Sequence, residues 1–78
     1  MMVASYIKRK GNIVGIRVKD IRDEEQLELF YRCIESAGKK IGDEKITDIV
    51  GCNREIMLTP NEIKKMRFQY IVKLFFLS

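Results

Sequence analysis

The chain of 78 residues reads as one α+β domain. Three observations predict that class. Two-residue alternation in the first segment marks a β-hairpin. A capped amphipathic helix follows it. A second capped, strongly apolar segment lies near the C-terminus. A chain this short buries only about 60% of the surface its unfolded form exposes. Its core is therefore marginal, and small domains commonly add a disulfide, a metal or a partner subunit.

The opening segment carries SYIKRK and IVGIRVK, rich in β-branched and basic residues, on either side of Gly11-Asn12. Gly first in a two-residue loop favours a type II′ turn. That turn predicts Lys10 opposite Ile13, Lys8 opposite Gly15, Ile7 opposite Ile16 and Tyr6 opposite Arg17. One face then holds Val3, Ile7, Val14, Ile16 and Val18, and the other holds Tyr6, Lys8, Lys10, Arg17 and Lys19. A half-buried antiparallel hairpin sorts its side chains in this way.

A helix is expected over 24–37. Asp23 with Gln26 fits an N-cap and its partner, and Glu24 and Glu25 suit the positive end of the helix dipole. Leu27, Phe30, Tyr31, Ile34 and Ala37 form one stripe, and Gly38 suits the residue just past the end. The outer face, Glu24, Glu25, Glu28 and Glu35, is acidic. A short helix near 44–50 is expected next, with Asp43 as its cap and Ile46, Ile49 and Val50 as its apolar edge, followed by a short strand at 54–58.

Thr59-Pro60-Asn61-Glu62 is a capping box with proline at the first helical position. It predicts a hydrophobic C-terminal helix over 60–75, with Ile63, Met66, Tyr70, Leu74 and Leu77 on one stripe. From Phe68 onward such a helix is apolar nearly all round, which implies burial on more than one side. The same stretch also alternates in steps of two, so a short helix leading into a strand is the rival. The surplus of large apolar residues predicts a homodimer through Phe68, Ile71, Val72, Phe75 and Phe76.

Composition narrows the function. With 46% hydrophobic and 33% charged residues and one proline, the chain is not of the disordered class. It has no histidine, the commonest general base, and its two cysteines lack both CxxC spacing and an imidazole partner. Ser5, Ser36 and Ser78 have no recognisable base, and no glycine-rich loop precedes a helix. The acids near Asp23 and Asp43 stand where helix N-termini favour them. The expectation is a non-enzyme with no cofactor, no metal and no evident small-molecule substrate. Cys33 and Cys52 are expected to be small core residues. The basic cluster of MMVASYIKRK follows a short apolar stretch, the reverse of a signal peptide's order. Lys73 interrupts the longest apolar run, YIVKLFFL, which is far shorter than the ~20 residues of a membrane span. A cytoplasmic location without membrane attachment is expected.

Net charge is +4, unevenly spread. Residues 1–22 hold six basic side chains and one acid, residues 23–48 four and eight, and residues 49–78 five and two. The basic hairpin face is the most specific functional signal. Lys8, Lys10, Arg17 and Lys19 could neutralise phosphates while Tyr6 stacks on a base. The bland alternative is a solvated face whose cations keep a sheet edge soluble. A helix-turn-helix over 44–58 was the other nucleic-acid candidate, and LTPNEI resembles the helix opening of winged-helix response-regulator domains. Pro60 would truncate a recognition helix begun at Asn53, so no residues carry over from that likeness. The expected function is non-catalytic binding of an anionic partner, nucleic acid first and an acidic protein surface second. The alternative is a small regulator or inhibitor acting through protein contacts, for instance by the acidic face of helix 24–37.

Overall fold

The computed structural model describes residues 2–47 and 52–76. The elements are β1 (Val3–Arg9), β2 (Asn12–Lys19), α1 (Glu24–Ser36), β3 (Lys45–Ile46), β4 (Arg54–Met57), α2 (Pro60–Lys65) and α3 (Phe68–Phe76). The strands form one antiparallel sheet in the order β1-β2-β4-β3. The architecture is α+β, with the predicted hairpin at its N-terminus.

The hairpin pairs differently from the expected pattern. Its loop is Lys10-Gly11, with φ of +50° and +80°, and Arg9 faces Asn12. Positive φ at both central residues makes this a type I′ turn, whose twist matches that of the flanking strands. Moving the loop back one residue shifts the pairing by two, which leaves the faces unchanged: Lys8 sits opposite Ile13. A β-bulge then shifts it by one more. Ile7 pairs with Gly15, so Val14 has no partner on β1, and from there Tyr6 faces Ile16 and Ala4 faces Val18. A one-residue slip exchanges the two faces of a strand. Ala4 and Tyr6 therefore join Ile16 and Val18 on the inner face, and Val3, Ser5 and Ile7 join Arg17 and Lys19 on the outer one.

The bulge lies next to Gly15, and the neighbouring strand explains that glycine. A Cβ there would stand 2.3 Å from the backbone oxygen of Ile56. Only glycine lets β2 approach β4 this closely. Beside it, the amide of Leu58 donates to the carbonyl of Val14 at 2.8 Å, so the bulged residue is bonded on the β4 side.

Helix α1 forms where its caps predict. Asp23 accepts from the Gln26 amide at 2.9 Å, and the Gln26 side chain reaches back to the Arg22 amide at 2.8 Å. At the other end the amides of Gly38 and Lys39 donate to the carbonyls of Glu35 and Ile34, a Schellman closure. The buried face is Phe30, Cys33, Ile34 and Ala37, a stripe rotated slightly from the expected one. These residues meet Met2, Ile16, Val18, Ile56 and Leu58 from the sheet and its margins, with Met66 and Leu74 completing the core.

Residues 44–47, expected to begin a helix, are not helical. Lys45 and Ile46 form β3 and pair with Glu55 and Arg54. The rest of that expected helix, 48–50, lies outside the described residues. Pairing to β4 overrides the local helical pattern, and the same strands exclude the helix-turn-helix reading of 44–58. The short strand expected at 54–58 is β4.

The C-terminal helix expected over 60–75 is two helices, and the strand alternative is not what forms; Leu77 of the expected stripe lies outside the described residues. The capping box holds as read, with the Thr59 and Glu62 side chains each accepting from the other's amide. The chain breaks at Met66, whose backbone is extended (φ −60°, ψ 129°) and whose side chain is buried. No proline or glycine marks the break. Its cause is tertiary: the Arg67 amide donates to Ser36 Oγ at the end of α1, at 3.0 Å, in place of an intrahelical bond. Among the described residues, no helix is long and apolar enough to cross a membrane.

Candidate nucleic-acid interface

All the buried apolar residues of the strands lie on one face of the sheet, the one α1 and α3 cover. The other face is open. The row Ser5, Arg17, Glu55 and Lys45 crosses all four strands. On one side of it Val3 pairs with Lys19, and on the other Ile7, Gly15 and Met57 stand in line. Alternation along β1 adds Arg9 to the same face. Val3 is 49% and Met57 42% exposed, so among the described residues no element roofs this surface.

Four cations thus share the face with one carboxylate among the described strand residues: Arg9, Arg17, Lys19 and Lys45 against Glu55. Arg17 Nε donates to Glu55 Oε2 at 3.1 Å, and both side chains are partly exposed. A pair of that kind contributes at most about 1 kcal/mol. It fixes the guanidinium at the centre of the face without removing it from solvent. Arg9, Lys19 and Lys45 make no ion pair among the described residues. At the hairpin tip Lys10 is exposed beside Arg9 and extends the positive surface beyond the sheet, while Lys8, also exposed, alternates onto the opposite face with Tyr6.

The expected site residues divide. Arg17 and Lys19 share the open face. Lys10 stands in the turn, and Lys8 lies in β1 on the opposite face, in line with Ala4 and Tyr6. Tyr6 is not on the face at all: it packs on the inner side with its ring 4.8 Å from that of Phe75. The expected stacking aromatic is thus half-buried against the core side of the sheet, and the register shift at the bulge is the reason. Arg9 and Lys45 are the cations that sequence reasoning missed. Gly15 was the available signal for the first, since an isolated glycine within a strand often marks a bulge. Lys45 had none, because its strand was read as a helix.

The expected dimer residues also divide. Phe68, Val72 and Phe76 are exposed on α3. Ile71 and Phe75 pack against the core and are not available to a partner in the way expected. Their side of the helix meets β1, which is why the apolar circumference of α3 is only partly exposed.

The remaining chemistry is sparse. Cys33 is buried, and burial pushes its thiol up to about 12, so at neutral pH it is a neutral core residue. Cys52 is half-buried, and its carbonyl accepts from the Ile21 amide at 2.9 Å. Among the described residues no three Cys, Asp or Glu side chains gather as a metal site would require.

No protein-family model, curated protein or solved structure matches this chain. The functional reading therefore rests on the geometry of the sheet face.

Proposed function

We propose that this protein is a non-catalytic binding module that engages the phosphate backbone of a nucleic acid through the open face of its sheet and its hairpin tip. The single observation behind this reading is the charge of that face: among the described residues Arg9, Arg17, Lys19 and Lys45 surround one carboxylate on a surface that no helix covers. Random surfaces mix charge signs, and a concentrated field of one sign attracts polyanions. Cations two residues apart on a strand stand about 6.6 Å apart, and neighbouring strands are separated by about 4.8 Å. The result is a lattice of positive charge suited to a repeating anion.

With Tyr6 packed against the core side, the described residues of the face include no aromatic to stack on a base. The contact is then to phosphates, which position a nucleic acid without reading its sequence. Binding should be strong at low salt and indifferent to base order. A protein neutralising about four phosphates gives a log–log slope of affinity against salt of roughly −3 to −4.

The test is fluorescence anisotropy with labelled single- and double-stranded oligonucleotides across a salt series. The variant Arg9→Gln/Lys19→Gln/Lys45→Gln should weaken binding and flatten the slope by about 2 to 3, one unit for each lost contact. All three residues are exposed, so the melting temperature should hold. A companion variant, Lys64→Gln/Lys65→Gln, removes exposed charge from α2 and should change binding little. Equal binding by the triple variant and the parent would remove the face from consideration. Strong binding of an acidic protein with a shallow salt response would favour the protein-regulator alternative.

A further inference from the structure

We infer that a second copy of this chain covers the outer ridge of α3, packing its own α3 antiparallel about a two-fold axis through Val72. The inference is independent of the sheet face, because the ridge belongs to the helical layer and pairing leaves the open face uncovered. Phe68, Val72 and Phe76 are 77%, 44% and 85% exposed. They are spaced one helical turn apart and form a continuous apolar ridge about 12 Å long. Two phenylalanines this exposed on one short helix are unusual for a surface without a partner.

Two features select a second copy as that partner. The ridge is symmetric about its centre, phenylalanine at both ends and valine between. An antiparallel two-fold therefore sets each Phe68 beside a Phe76 of the other copy, and the same patch serves both sides. Charge makes the same choice. Helix α1 runs antiparallel to α3: Ser36 Oγ meets Arg67 at one end, and at the other a groove of about 670 Å³ joins Glu25, Glu28, Leu29 and Arg32 to Val72, Lys73 and Phe76. That groove mixes two acids with two bases, and Glu28 is paired with Arg32 at 2.7 Å, whereas Lys64, Lys65 and Arg67 precede the Phe68 end of the ridge. Antiparallel pairing sets each basic Phe68 end against the other copy's mixed Phe76 end and keeps the two basic ends apart. Parallel pairing would bring like against like. The groove beside the ridge gives the incoming phenylalanine an apolar floor in Leu29 and Val72.

Sedimentation equilibrium of the full chain without nucleic acid, from about 1 to 500 μM, tests the pairing, with a dissociation constant on the order of 10 μM expected for an interface of this size. Phe76→Glu should raise that constant at least tenfold without shifting the melting temperature, since the side chain lies in solvent. Arg67→Glu and Glu25→Arg should each weaken association severalfold, and the double variant should recover the parent's affinity. Vesicles of neutral lipid provide the competing occupant. A single chain at every concentration, with or without lipid binding, overturns the proposal. So does a dimer unaffected by Phe76→Glu, or a double charge reversal without recovery.

Discussion

The hairpin and the C-terminal segment answer opposite questions. In the hairpin the strands lie where local pattern puts them, but the faces are exchanged on one strand. In the C-terminal segment the inward stripe of Ile63, Met66, Tyr70 and Leu74 is the one expected, but the helix carrying it is broken at Met66. The hairpin keeps its elements and changes its register. The C-terminal segment keeps its register and changes its elements. A strand's period is two, so one extra residue inverts its sidedness. Burial of a helix is graded over a stripe, so α2 and α3 can part at Met66 and still turn the same residues inward.

The sharpest way to break the comparison is to truncate neighbours on β1. Tyr6→Ala should destabilise the domain by about 2–3 kcal/mol, because it removes a ring packed on Phe75 and the core. Ile7→Ala, on the open face, should cost under about 1 kcal/mol. Urea unfolding of the two variants measures the difference directly. If Ile7→Ala proved the costlier, the bulge would not be where it is placed, and the open face would lose Arg9. The nucleic-acid reading would then need a different set of cations.

A second, smaller effect probes the break in the C-terminal segment. Ser36→Ala removes the hydroxyl that accepts from the Arg67 amide and itself donates to the Cys33 carbonyl at 2.7 Å. The expected loss is about 1 kcal/mol, the net contribution of a hydrogen bond at a partly exposed site. Hydrogen exchange at Arg67 should quicken more than at Tyr70. If that amide remained as protected as before, the break would owe nothing to α1 and would have to be intrinsic to the segment.

Much of this molecule is legible locally. The caps at Asp23 and Thr59 state where α1 and α2 begin, and each rests on side-chain bonds within four residues. The open face is only half legible. Arg17 and Lys19 could be assigned because β2 is central, with Ile16 and Val18 unambiguously inward. Tyr6 and Arg9 could not, since their side depends on whether Val14 is skipped, and that depends on contact between Gly15 and Ile56 across a sequence separation of 41 residues. Lys45 was hidden for the same reason. Its strand has two residues, too few for any period, and exists only because β4 lies beside it.

The smallest effect concerns the turn that starts the disagreement. Lys10 occupies the left-handed region at φ +50°, where a side chain with a Cβ costs about 1 kcal/mol. Asparagine tolerates that region better, and Asn-Gly is the favoured pair for a type I′ turn. Lys10→Asn should therefore stabilise the domain by about 0.5 kcal/mol, visible as a small rise in melting temperature. The type II′ loop at Gly11-Asn12 predicts no such gain, because there Lys10 sits in a strand and asparagine is a poor strand former. The substitution also removes one charge from the hairpin tip. If the tip contributes a phosphate contact, the salt slope should flatten by about 0.7 to 0.9 while the domain becomes more stable. Weaker binding from a firmer fold separates the charge of Lys10 from its backbone strain, a separation that the triple substitution on the sheet face does not offer.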